Sequence, residues 1–243
     1  MPSLTPELIK ELAPTGRLRA SINLGNMVLA QGTPEAPRGV SVDLANELGR
    51  RIGLPVEFIC WPAAKPSFDT VKEGRADIAF LAHEPARAAE IEFTAPYVEI
   101  EGAYMVRNNS PLKSIDEVDR PGIRICVGPG SAYDLYLTRT LKHAQLVRAT
   151  IGGGSANIEM FLKDNLEVCA NVREPLEAWA DSDSSVRLLP GRFMVIGQAM
   201  ALPKGRPQAS AYVKEFVEQM KASGFVAAGL KRSGQSASVA PAA

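Results

Sequence analysis

Arg87 lies just past an apolar run in the stretch FLAHEPARAAE (80–90). The run ADIAFLA (76–82) reads as a strand buried on both faces, and His83-Glu84-Pro85 breaks it. Arg87 then falls in the first turn of a helix. A planar guanidinium at a strand mouth is matched to a carboxylate: paired donors give a strong, directional, charge-assisted contact when water is excluded. Backbone N–H groups of Phe80 and Ala82, at the strand end, add donors. A surface arginine paired with Glu84 or Glu90 is the competing reading, and the residues alone leave it open. A second donor set is GPGSAYD (128–134), a glycine-rich turn into a helix that carries Ser131 and Tyr133. The first N–H groups of a helix attract anions. IGGGS (151–155) has no lysine, so it is a flexible loop and not a P-loop.

Acid–base chemistry has candidates in His83, Glu84, Glu101 and Asp134, but no nucleophile–base pair stands at a spacing that argues for hydrolysis. His143, in TLKHAQ, belongs to a helix end, where a histidine favours the terminal dipole. The two histidines are too far apart for a metal motif. Cys60, Cys126 and Cys169 are odd in number and widely spaced, which reads as free buried thiols and not a disulfide frame or zinc site. No cofactor and no metal are expected.

The elements that must position these groups alternate along the whole chain. RLRASIN (17–23), PVEFICW (55–61) and 76–82 read as strands; SVDLANELGRRIG (41–53), capped by Ser41, and SFDTVKEG (67–74) read as helices. This β-α-β-α-β order predicts a parallel sheet with helices on both sides. EGAYMVR (101–107) leads out along a strand to a capping box at Ser114–Glu117, and a second alternating series begins at IRICV (123–127). RFMVIGQAMALP (192–203) is long and extended, and the helix 207–224 follows. The tail SGQSASVAPAA reads as loose.

With 243 residues and 46% hydrophobic content, the chain supports one large domain or two lobes. Lys+Arg equals Asp+Glu at 27 each, so no net basic field recruits nucleic acid or an anionic membrane. No apolar run is long enough to span a bilayer. The opening MPSLTPELIKELAPTGRLRA is a short capped helix leading into a strand and not a secretory signal, so the expected location is cytoplasmic, or periplasmic if a leader has been removed.

This order, with the motifs GVSVDLANELGRRIGLPVEF (39–58), VKEGRADIAFLAHEPARAAEIEFTAPYVE (71–99), SIDEVDRPGIRICVGPGSAYDLYL (114–137) and ALPKGRPQASAYVKEFVEQMKASG (201–224), resembles the bacterial solute-binding proteins of family 3, the amino-acid-binding type of periplasmic binding protein. The resemblance covers about residues 16–233. It implies a type 2 periplasmic-binding-protein fold: two α/β lobes, each a sheet flanked by helices, joined by a two-strand hinge. Lobe 1 would be 1–105 plus 200–243, lobe 2 106–199, and the hinge near 103–110 and 195–202. It further implies a ligand held between the lobes and closure by hinge bending. Arg87 falls on the family's carboxylate-binding arginine, and Ser131 on the Ser/Thr that donates to the same carboxylate.

The departures from the family pattern shape the expected ligand. The acidic residue at the first strand end and the aromatic beyond it are replaced by Asn23 and Asn26. The second aromatic position holds Ala64, with Trp61 displaced by three residues, and the Thr before the arginine is Ala82. The lobe-2 aspartate for the ligand's ammonium is replaced by Val172 and Arg173. An unpaired ammonium in a closed cleft costs several kcal/mol. The reading is therefore non-catalytic binding of a small carboxylate or other anion, hydrogen-bonded by Asn23 and Asn26, with Arg173 as a second cation unless it pairs with Glu174 or Glu177. An ABC permease is a possible partner; nucleic acid and membrane insertion are not expected. The alternatives are an enzyme of the cyclohexadienyl-dehydratase type on the same fold, or a ligand-sensing regulatory protein.

Overall fold

The computed structural model describes residues 3–243. The chain divides into two compact units, one holding the chain up to Glu99 with Gly197–Ala243, the other Ile100–Ile196. The sequence reading put these boundaries six and three residues later. They fall inside continuous strands, where no turn residue marks the change.

In the first unit Thr5 caps α1 (Pro6–Leu12), its side chain accepting from Leu8 N–H at 3.1 Å. β1 (Leu18–Asn23) is followed by the antiparallel hairpin β2 (Gln31–Thr33) and β3 (Ala36–Arg38). α2 (Val40–Ile52) is capped by Gly39 and not by Ser41. Ser41 is the second residue of the helix and is buried, its hydroxyl 3.0 Å from the equally buried Tyr97 hydroxyl. A side chain drawn into a buried hydrogen bond is no longer free to cap. β4 (Val56–Trp61), α3 (Ala64–Lys72), β5 (Ile78–Ala82), the single turn α4 (Pro85–Ala88) and the long β6 (Ile91–Arg107) complete the run. β4, β1 and β5 are parallel neighbours, so Asn23, Trp61 and Ala82 end their strands on the same side. β5 is buried at every position, and Ala79 and Leu81 pack with Val71, Ile91 and Phe93.

In the second unit the expected capping box is present on a short 3-10 turn, Ile115–Glu117. Then come β7 (Arg124–Val127), α5 (Ala132–Thr140), β8 (Gln145–Arg148), α6 (Ala156–Lys163), β9 (Val168–Val172), α7 (Arg173–Ser182), β10 (Val186–Leu188) and β11 (Met194–Pro203). β7 is parallel to both β8 and β9, while β6 and β9 are antiparallel. Cys126 and Cys169 are free and buried in the core with Phe161 and Leu176, whereas Cys60 is only half-buried. His143 lies beyond the end of α5, where its backbone N–H and those of Lys142 and Ala144 converge on the Asp119 carboxylate.

β11 re-enters the first unit and pairs antiparallel with β5; α8 (Pro207–Ala222) and α9 (Phe225–Arg232) follow. The tail is not loose. Ser238 and Val239 form β12 against Glu99 and Val98 of β6, Ala240 N–H donates to Tyr97 O at 3.1 Å, and Ala240 is buried. Backbone pairing with β6 holds a small, polar segment that composition alone marks as flexible.

Candidate functional site

In an open α/β sheet, ligands bind outside the carboxyl ends of the parallel strands. In the first unit those ends carry Asn23, Trp61 and Ala82. Asn23 and Trp61 are register partners, and the pairing extends one step further through Leu24 N–H to Trp61 O at 2.8 Å. The chain then turns sharply: Asn23 Oδ1 accepts from Gly25 N–H at 3.0 Å, and Asn26 O accepts from Leu29 and Ala30 N–H. Two buried polar atoms here have no hydrogen-bond partner among the described residues, Asn26 Oδ1 and Trp61 Nε1.

Arg87 is buried, with 4% of its surface exposed, so it does not face bulk water. Its Nη1 donates to Ala82 O at 3.2 Å. Burial pulls the guanidinium down to about 10 while the charge of Glu84 pushes it up, so at neutral pH it stays cationic. Glu84 is buried beside it, which realises one of the two acidic partners the sequence offered; Glu90 pairs with Lys72 at 3.1 Å. Phe80 is buried with its ring edge-on to Tyr97, and its backbone stands opposite Met200 of β11.

In the second unit Ser131 caps α5, accepting from Asp134 N–H at 3.1 Å. Tyr133 is buried with its hydroxyl beside Gly128. Burial raises that hydroxyl's pKa, opposed by a hydrogen bond with Ser131. The helix start already holds an internal anion: Asp134 Oδ2 accepts from Gly130 N–H at 2.8 Å, and Arg148 lies 2.9 Å from the same carboxylate. Arg173 is committed as well. Its Nε is 2.7 Å from Glu101, its Nη2 donates to Gly191 O at 2.6 Å, and Glu177 is 3.5 Å away. Arg192, and after it Arg173, hold the Glu101 carboxyl below its usual range.

Glu174, which the sequence offers only as an ion-pair partner for Arg173 and not as a site residue, lies in the first turn of α7. Its Oε2 is buried without a partner among the described residues, and desolvation raises its pKa. The only sequence signal was an acidic residue one step beyond the expected position. Of the acid–base candidates, Glu101 and Asp134 are ion-paired and His83 lies edge-on to Phe93. Among the described residues no three of His, Cys, Asp or Glu gather to hold a metal ion.

Two α/β units exchanging two strands, with polar side chains at the carboxyl strand ends, define the class of two-lobed binding proteins. The profile of the bacterial extracellular solute-binding proteins, family 3, matches residues 27–233, and the chain belongs to that family. Among solved structures it is similar to an ABC-transporter binding component from Wolinella succinogenes complexed with lysine (17% identity, 90% of this chain and 95% of that one, TM-score 0.76). It is similar to a solute receptor for L-cysteine from Neisseria gonorrhoeae (19% identity, 94% and 93%, TM-score 0.78). It is also similar to an ancestral amino-acid-binding protein described as a precursor of cyclohexadienyl dehydratase (18% identity, 92% and 97%, TM-score 0.76). At these identities the likenesses establish the type 2 periplasmic-binding-protein fold. No curated protein matches the chain.

Proposed function

We propose that this chain is a non-catalytic receptor for a small solute bearing a carboxylate, with Arg87 as the carboxylate anchor. The observation that carries the reading is a cationic guanidinium buried at the carboxyl end of β5. A buried charge is costly unless paired, and an incoming carboxylate adds an acceptor to the one beside it. Asn23, Phe80 and Ala82 supply further polar groups in the same unit. Ser131 and Tyr133 are the donors assigned in the second. An ABC permease partner and a location outside the cytoplasm follow the family description in preference to the cytoplasmic reading.

Glu174 supports a second reading, in which the solute is zwitterionic. The sequence argument against α-amino acids rested on a missing carboxylate, and Glu174 offers one. Arg173, held by Glu101 and Gly191, has less freedom to serve as a second anion-binding cation. Receptors of similar fold are described with lysine and L-cysteine, in keeping with this reading.

The test is calorimetry on a panel of small carboxylates and amino acids. Arg87→Ala is expected to weaken binding by about 2–5 kcal/mol, and Arg87→Lys, which keeps the charge but loses the fork, by less. Retained affinity in a folded Arg87→Ala protein removes the anchor.

A further inference from the structure

Cys126 of β7 and Cys169 of β9 lie far apart in the sequence, and the fold makes them direct partners. The two strands are parallel neighbours, and their register sets Cys126 opposite Cys169. The same row continues to Val147 of β8 on one side and to Met105 of β6 on the other. All four side chains pack in one core cluster with Ile158 and Phe161 of α6, so all four leave the sheet on the face that α6 covers. Asn157 of α6 confirms the direction: its Nδ2, bonded to Ala170 O at 2.8 Å, stands 3.5 Å from Cys169 Sγ. Neighbouring strands run about 4.7–4.9 Å apart. That spacing lies within the Cα separation of about 4.4–6.8 Å that a disulfide spans. A disulfide holds its Cβ atoms about 3.5–4.5 Å apart, so closing one here draws the two strands slightly together. Both thiols are free.

We propose that Cys126 and Cys169 form a redox-modification site, which closes to a cross-strand disulfide when the chain folds under oxidising conditions. The oxidant is the disulfide of a small thiol or of a thiol oxidoreductase. One cysteine thiolate attacks a sulfur of that disulfide and displaces a thiolate. The second cysteine thiolate attacks the resulting mixed disulfide and displaces the other. The oxidant's sulfur–sulfur bond breaks and one forms between Cys126 and Cys169. Two electrons pass to the oxidant, and the two cysteine protons end on its two thiols. Burial fixes the timing. Both cysteines are shielded from water, and burial pushes the Cys126 thiol up to about 11 and the Cys169 thiol well above its ordinary value. The thiolate is the reactive form, so the folded pair is inert to exchange and its state is set before the core closes. Cys60, half-buried on β4 in the first unit, faces Ile22 in register and has no cysteine beside it. The bond needs no solute, so it stands or falls apart from the receptor reading.

The test refolds the intact 243-residue chain from its reduced, denatured form in a buffer of reduced and oxidised glutathione. Remaining thiols are alkylated in denaturant, and mass spectrometry of the chain and its proteolytic peptides counts and locates them. One alkylated thiol, at Cys60, and a peptide pair linked through Cys126 and Cys169 are expected. Three alkylated thiols, glutathione adducts at Cys126 or Cys169, or a bridge that includes Cys60 overturns the proposal. Cys60→Ser removes the third thiol and is expected to bridge in the same way, leaving nothing to alkylate. The bridged protein is expected to melt in one cooperative transition. Loss of that transition overturns the proposal, because the native register then does not hold the bond. Dithiothreitol is expected to open the bridge about ten-fold or more faster in denaturant than in the folded protein, since buried sulfurs are out of reach of an attacking thiolate. Equal rates place the bond outside the core and overturn the proposal.

Discussion

Asp77 and Arg19 clamp the starts of two strands together. Asp77 Oδ2 accepts from both the backbone N–H and Nε of Arg19 at 3.0 Å, Oδ1 lies 2.8 Å from Arg19 Nη2, and Asp77 N–H returns a bond to Arg19 O at 2.8 Å. Arg206, at the head of α8, adds a fourth contact at 3.0 Å to the fully buried Asp77 carboxylate. The clamp sets the β1–β5 register at one end and so delivers Asn23 and Ala82 to the other.

Asp77→Ala leaves two arginines without their shared anion. Removing one partner of a buried ion pair costs about 3–5 kcal/mol. Urea denaturation is expected to show that loss with an unchanged slope, and a loss below about 1 kcal/mol counts against the clamp.

Gly39 opens α2 at φ +110°, and a Cβ there would sit 2.6 Å from Leu29 O. Gly39→Ala meets both an unfavourable backbone conformation and a backbone oxygen that cannot yield. A destabilisation of about 1–3 kcal/mol is expected. Wild-type stability in the variant, measured the same way, shows that the β3–α2 junction relaxes freely.

Glu174 carries a carboxyl whose folded pKa is raised by desolvation. The sign follows from linkage. Below the unfolded value of about 4.3 both states are protonated and the group contributes nothing. As the pH rises, the unfolded chain ionises first and the folded state loses relative stability until the raised folded pKa is passed. The melting temperature of Glu174→Gln minus that of wild type is therefore expected to grow with pH above about 4 and then level off. A difference independent of pH between 4 and 8 contradicts the raised value. A cationic solute bound at this carboxylate reduces the difference.

The dehydratase alternative has a direct assay. Purified protein incubated with prephenate or arogenate is expected to leave both unchanged by absorbance and chromatography, because Glu101 and Asp134 are ion-paired. Elimination of either compound replaces the receptor reading with an enzyme.

The alternation of apolar strands with capped helices was legible residue by residue. The strand 76–82 and the capping box at Ser114 needed only local patterns, since their backbone preferences and burial are set by near neighbours. Where a distant residue intervened, local reading failed. Ser41 was drawn to Tyr97, and the polar tail was drawn to the edge of β6. Composition described neither event, because the partner lies far along the chain.

The candidate site divides in the same way. Residue types and spacing alone marked Arg87 as a cation at a strand mouth, because hydrogen-bonding geometry belongs to the side chain itself. Only the tertiary structure decided that Arg87 is buried beside Glu84, that Arg173 is tied to Glu101, and that Glu174, Asn26 and Trp61 keep buried polar atoms without partners. The physical reason is that burial and pairing are properties of an environment assembled from distant segments, and a linear sequence names the groups without stating what surrounds them.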